Sequence, residues 1–275
     1  MNVFKSKEGQ DRIRGYYNNI LSFFPVKQRY VDTSFGKTFA LEAGSEKNTA
    51  IVLLHGSCSN SAAWLGDLAA LTAQYHVFAI DIPGEPGNSE DNRLNIHSND
   101  YSYWLDEVLD KLKTEKAVVI GNSMGGWLAL HFAATYPGRV AALVLLAPSG
   151  IIPPEQSFIN RTADIASNSE SAKAVTDAVL GDASIPKEVL EFMKLVMENF
   201  NPITDALPAL TDEQMRLLTM PVLFIAGTND VTMNVAKAAH RLSSLVPHAV
   251  INLTEGAHVI TSAADQIISF LSEKL

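Results

Sequence analysis

Six short runs of aliphatic and β-branched residues recur along this chain, each separated from the next by a longer stretch. They are Thr49 to Leu54, His76 to Ile80, Ala117 to Ile120, Val140 to Leu146, Val222 to Ala226 and Ala249 to Leu253. The runs are nearly continuously apolar. A strand with one wet face alternates apolar and polar residues, whereas a strand covered on both faces does not. Helix candidates lie between the runs, at Ser61 to Gln74, Asp100 to Thr114, Met124 to Tyr136, Val235 to Leu245 and Ala263 to Glu273. Strand, helix, strand at this spacing predicts an α/β fold with a mostly parallel sheet flanked by helices. Two earlier segments, Gln28 to Ser34 and Lys37 to Glu42, sit either side of a turn at Gly36. They read as a hairpin opening the sheet, which makes it eight-stranded.

The alternation breaks once, between about Gly150 and Leu218, where no strand pattern occurs. Helix candidates there are Phe158 to Leu180, Pro186 to Phe200 and Thr211 to Leu218. Pro186 falls in a first turn, where a missing N–H costs nothing. Thr211 and Gln214 have capping-box spacing. A helical insertion after the sixth strand is expected. The organisation is then a helical extension over residues 1–27, a core formed by 28–149 and 219–275, and a helical cap over 150–218.

Composition narrows the partners. The net charge of −9 argues against nucleic acid, because phosphate binding is driven by clustered Lys and Arg. It also disfavours an anionic membrane surface. No apolar run approaches the ~20 residues of a membrane-spanning helix. The stretch from Met1 to Gln28 mixes Lys5, Lys7, Glu8, Asp11, Arg12 and Arg14 with scattered apolar residues and has no secretory h-region. A cytoplasmic protein is expected. The single cysteine, Cys58, excludes an intrachain disulfide, and 275 residues bury enough core to need none.

The chemistry concentrates at Gly121-Asn122-Ser123-Met124-Gly125, preceded by the apolar run ending at Ile120 and followed by a helical pattern. Gly-x-Ser-x-Gly in this strand–turn–helix context stands a serine hydroxyl clear of a very tight turn. The glycines leave room for neighbouring backbone, and the helix points its N-terminus at any developing negative charge. A serine nucleophile needs a base, and the base needs an orienting carboxylate. Of seven histidines, His131, His76, His97, His240 and His248 have plain structural or surface explanations. His258 lies in the loop leaving the last strand, and Asp230 in the loop leaving the strand Val222 to Ala226. Ser123, Asp230 and His258 thus all follow carboxyl ends of parallel strands, the edge where such sheets bind ligands.

With these motifs the chain resembles the α/β-hydrolase superfamily from about Gln28 onward. His55-Gly56, after an early strand, matches a pair in that family at which the histidine is structural. The resemblance implies that the backbone N–H groups of Ser57 and Met124 form an oxyanion hole. It also implies that the insertion is a cap over the nucleophile. The family's Asp-x-x-Gly-x-Gly-x-Ser loop is represented by Asp81 to Ser89, with one extra residue between the glycines. Serine at the elbow separates the chain from haloalkane dehalogenases and epoxide hydrolases, which carry Asp there. Some members place the acid after the strand preceding the cap, but here that strand ends Ala147-Pro148-Ser149, which supports Asp230.

The expected activity is that of a serine hydrolase, a carboxylesterase cleaving small, largely apolar esters through an acyl-enzyme. A carbon–carbon bond hydrolase, lactonase or thioesterase would use the same triad. A ligand-binding signalling protein of the same fold is the alternative from another class. Phe158, Met193 and Met197 are candidate pocket residues, the two methionines sharing a helix face. No metal cluster or dinucleotide fingerprint is seen, so no cofactor is expected. Cys58, beside Ser57, is read as a passive small residue. Sequence leaves the oligomeric state open.

Overall fold

A computed structural model describes residues 2–154, 177–181, 185–260 and 263–275. Its sheet comprises β1 (Lys27–Thr33), β2 (Gly36–Ala43), β3 (Ala50–Leu54), β4 (His76–Ile80), β5 (Ala117–Asn122), β6 (Val140–Leu146), β7 (Val222–Gly227) and β8 (Val250–Thr254). The helices are α1 (Lys7–Leu21), α2 (Leu65–Thr72), α3 (Asp100–Lys111), α4 (Met124–Thr135), α5 (Lys187–Asn199), α6 (Asp212–Met215), α7 (Val235–Leu245) and α8 (Ala264–Lys274).

The strand order is β1-β2-β4-β3-β5-β6-β7-β8. The β1–β2 hairpin is antiparallel and β2 pairs antiparallel with β4; every later pairing is parallel. The apolar runs explain this layering. In β3, Ile51 and Leu53 join a core with Tyr17 and Leu21 of α1, Leu68 and Leu71 of α2, and Ile267 and Leu271 of α8. Val52 and Leu54 point the other way, into a core with Trp104, Leu128 and Leu242 from α3, α4 and α7. Both faces are covered, so neither set of alternating side chains is polar. The run expected to be buried on both faces at the end of the chain is the exception. β8 is an edge strand with one neighbour, and Leu253 is 46% exposed.

Helix α1 is built into this core. Ser6 caps it by accepting the Gly9 N–H at 3.0 Å, and Ile13, Tyr17 and Leu21 form its buried stripe at helical spacing. The Tyr17 hydroxyl lies 2.6 Å from Ser61 Oγ and donates to Asp81 Oδ1 at 3.1 Å. Burial, with Asp81 close by, holds that hydroxyl well above the usual phenol range, so it remains a donor.

The segment between β6 and β7 contains α5 and α6. The expected capping box is present at Thr211 and Gln214. Pro186 stands at the N-cap of α5 instead of inside its first turn. The buried side of α5 meets α1, with Phe192 stacked on Tyr16 at 6.1 Å and Phe200 edge-on to Phe4 at 5.8 Å. Backbone bonds reinforce the contact, Lys5 N–H donating to Asn199 O and Asn201 N–H to Val3 O, each at 2.9 Å.

Candidate active site

Ser123 sits between β5 and α4 at φ +51° and ψ −112°, outside the regions an L-residue ordinarily occupies. Backbone of this kind costs about 1–3 kcal/mol and persists only where the surroundings impose it. The impositions are visible. Ser123 N–H donates to Leu146 O, and Ser123 O accepts from Ser149 N–H, each at 3.0 Å. A Cβ on Gly125 would stand 2.2 Å from Leu54 O, and one on Gly121 would stand 2.2 Å from Gly125 O. The spacing of the motif is therefore steric: strand β3 and the start of α4 pass too closely for any larger residue.

Asp230 and His258 arrive from the loops after β7 and β8. His258 Nε2 lies 2.9 Å from Ser123 Oγ, and His258 Nδ1 lies 2.7 Å from Asp230 Oδ2. The three residues named from sequence thus form one hydrogen-bonded line. Nδ1–H must donate to the carboxylate, which leaves Nε2 free to accept the serine proton. The Asp230 side chain has no exposed surface. Burial by itself would raise its pKa, but the hydrogen bond and charge of His258, with bonds from Thr232, outweigh it and hold Asp230 below the usual carboxylate range.

Thr232 was not singled out from sequence. Its N–H and hydroxyl both donate to Asp230 Oδ1 at 2.7 Å, and Oγ1 lies 3.0 Å from His258 Nδ1. The signal that could have found it is Asp-x-Thr, a spacing at which a carboxylate bonds the backbone two residues on.

The His55–Gly56 loop lies against the elbow, since a Cβ on Gly56 would be 3.4 Å from Ser123 Cβ. His55 is fully buried, accepting Ile82 N–H through Nε2 at 3.0 Å while Nδ1–H donates to Gly56 O at 2.8 Å. Burial lowers its pKa, which keeps it the neutral tautomer that this pair of bonds requires. Met124 is the first residue of α4, so its N–H is one of the orphan donors of a helix start. Neither Ser57 nor Met124 N–H donates elsewhere among the described residues. Cys58 follows Ser57, and burial pushes its thiol up to about 12, so it carries no thiolate.

The candidate pocket residues are not drawn together. Phe158 lies outside the described residues. Met193 is half-buried on α5, Met197 is 46% exposed, and neither belongs to an apolar cluster of the described residues. The structural histidines behave as expected: His131 lies 3.2 Å from Pro208 O and His76 3.0 Å from Glu42. No helix among the described residues is long and apolar enough to cross a membrane.

The layered sheet and the elbow define the class, and comparison with known proteins agrees. The family model for the alpha/beta hydrolase fold matches residues 49–171. A Bacillus subtilis protein described as "uncharacterized carboxylesterase nap" is 31% identical over 256 residues, spanning 89% of this chain and 85% of that one. The same organism's carboxylesterase YbfK is 25% identical over 98% of this chain and 96% of its own length. The crystal structure of naproxen esterase (carboxylesterase NP) from Bacillus subtilis superposes with a TM-score of 0.87 at 26% identity, covering 97% of this chain and 99% of that one. The chain belongs to the α/β-hydrolase family. Within that family it is a carboxylesterase-like member.

Proposed function

We propose that the protein is a serine carboxylesterase acting on small, largely apolar esters. The observation that carries this reading is the unbroken line from Ser123 Oγ through His258 to Asp230, standing beneath a strained elbow. Ser123 Oγ attacks the ester carbonyl carbon while His258 Nε2 takes its proton. The carbonyl π electrons move onto oxygen, and the backbone N–H groups of Ser57 and Met124 stabilise that anion. Asp230 keeps the imidazole in the right tautomer and stabilises the imidazolium. Collapse of the tetrahedral intermediate breaks the bond to the alcohol, which leaves with the proton returned by His258. Water then repeats the sequence on the acyl-enzyme and frees the acid. The similarity to proteins described as carboxylesterases supports an ester as the bond cleaved.

The segment between β6 and β7 is the proposed cap, and Phe158, Met193 and Met197 remain its candidate substrate contacts. An apolar pocket gains about 1–3 kcal/mol per methylene until it is full. Activity on p-nitrophenyl esters should therefore rise from acetate to about butyrate or hexanoate and then fall. Pre-steady-state mixing should show a burst of p-nitrophenol, and a fluorophosphonate should label the protein. A flat profile up to palmitate would remove the substrate class. Absence of both burst and label would remove the mechanism and favour a ligand-binding role.

A further inference from the structure

The loop that carries Ser57 is anchored firmly at both ends. Before it, His55 ties the chain to Ile82. Beyond it, Asn60 Nδ2 donates to Pro86 O at 3.0 Å and Ser61 N–H donates to Asp81 Oδ1 at 2.8 Å. Between these anchors Cys58 adopts φ +58°, a left-handed conformation that costs a residue with a Cβ and must be held. Two contacts hold it. The Cys58 side chain packs against a small apolar cluster of Val3, Phe4, Ile13, Val196 and Phe200. The Cys58 N–H donates to Glu85 Oε2 at 2.6 Å, and among the described residues this is the only hydrogen bond to the backbone of residues 57–59.

Glu85 is 2% exposed, an unusual place for a carboxyl group. Its own loop is stiff. Asn88 N–H donates to Asp81 Oδ2 at 2.7 Å, Gly87 N–H donates to Glu85 O at 2.7 Å, and a Cβ on Gly87 would stand 2.5 Å from Asp81 Oδ2. From the other side, Arg14 of α1 donates to Gly87 O at 3.0 Å and to Ser89 O at 2.9 Å. Only the two torsions of Ser57 separate the peptide unit held by Glu85 from the one that carries the Ser57 N–H. We propose that Glu85 is a positioning residue for the oxyanion loop: by holding the Cys58 N–H it fixes the direction of the Ser57 N–H. The inference rests on Ser57 being an oxyanion donor. Burial pushes the Glu85 carboxyl up to about 8, so near neutral pH it is largely the uncharged acid and places no full negative charge beside the developing oxyanion.

Three variants of the full chain test this against p-nitrophenyl butyrate and an alkyl trifluoromethyl ketone, whose hemiketal adduct with a serine mimics the tetrahedral oxyanion. Glu85→Met keeps the volume and removes the acceptor. Glu85→Asp keeps a carboxyl but is one methylene too short. Glu85→Gln keeps an acceptor and, like the acid, is neutral. Complete loss of an oxyanion donor costs about 10²–10³ in kcat, and misdirection of one should cost about 10- to 100-fold. The Met and Asp variants should lose that much kcat with KM within about twofold, and the ketone's Ki should rise by the same factor, because only the tetrahedral state uses the hole. Glu85→Gln should recover to within about threefold of wild type. If the Met variant fails to fold, the Asp and Gln pair carries the same contrast. The proposal is overturned if the Met or Asp variant keeps wild-type kcat, if kcat falls while the ketone's Ki does not move, or if Gln is as impaired as Met. A wild type that neither hydrolyses the ester nor binds the ketone would overturn the serine-esterase reading itself, a result distinct from all of these.

Discussion

The elbow bearing Ser123 and the pair of loops bearing Asp230 and His258 meet in one line of hydrogen bonds, but they combine steric and polar constraint in different proportions. The elbow is set by exclusion. Gly121 and Gly125 leave space that backbone from Leu54 and the first turn of α4 fills to within 2.2 Å of any added Cβ. The two loops share one such close approach, a Cβ on Gly227 standing 2.1 Å from Ala257 O, and add polar bonds to it: Thr228 N–H to Thr254 O and Asn229 N–H to Gly256 O, each at 2.9 Å, with Thr232 closing on Asp230. A steric device fails when an atom is added. A polar one weakens in proportion to the bonds removed.

The largest effect should come from the atom both regions serve. Ser123→Ala is expected to lower kcat on a p-nitrophenyl ester by roughly 10⁴ to 10⁶, the loss seen when a triad acts as a unit. Fluorophosphonate labelling should vanish while the thermal transition stays in place. Labelling that persists would put the nucleophile on another serine. Next, Asp230→Asn should cost on the order of 10⁴ in kcat, because the amide favours the wrong imidazole tautomer. Near-full activity in that variant would remove Asp230 from the site.

Two smaller changes separate the regions. Gly125→Ala forces a Cβ against Leu54 O, and displacement of the elbow by about 1 Å should lower kcat by about 10² with a destabilisation of about 1–3 kcal/mol. Calorimetry together with initial rates would read both, and an unperturbed Gly125→Ala protein would refute the steric account. Thr232→Val keeps the backbone bond to Asp230 and loses the hydroxyl one. A hydrogen bond to a charged group is worth about 1.5–3 kcal/mol, only part of which is expressed in the transition state, so kcat should fall about tenfold. A Thr232→Val loss as large as that of Asp230→Asn would mean that the hydroxyl, and not the carboxylate, orients His258.

The same division explains what could be read from sequence. Steric demands leave composition behind them. The elbow is legible because only glycine fits at Gly121 and Gly125, and the strands because burial on both faces strips them of polar residues. Asp230 and His258 were found by their place after β7 and β8, since polar loops restrict sequence less. Thr232 and Glu85 were missed for that reason: each acts through one or two hydrogen bonds that any short polar residue could be imagined to make. The extra residue between the glycines after Asp81 was visible, but not that the carboxyl inside it reaches Cys58. β8 read as fully buried because apolar content does not reveal which strand ends up at an edge.

The closure between the amino-terminal segment and the end of α5 bears on how the chain acquires its structure. Asn201 Nδ2 donates to Asn2 O across 199 residues of sequence, and Lys5 Nζ to Met197 O across 192. Contacts of such long range must wait for their partners, both on the ribosome and in refolding, because loop-closure entropy is lost before they are rewarded. The β3–β5 pairing and the α4 packing that form the elbow need far shorter loops. The elbow should thus be assembled before residues 2–5 dock, and docking of that amino-terminal segment onto Phe200 should be a separate, later kinetic phase.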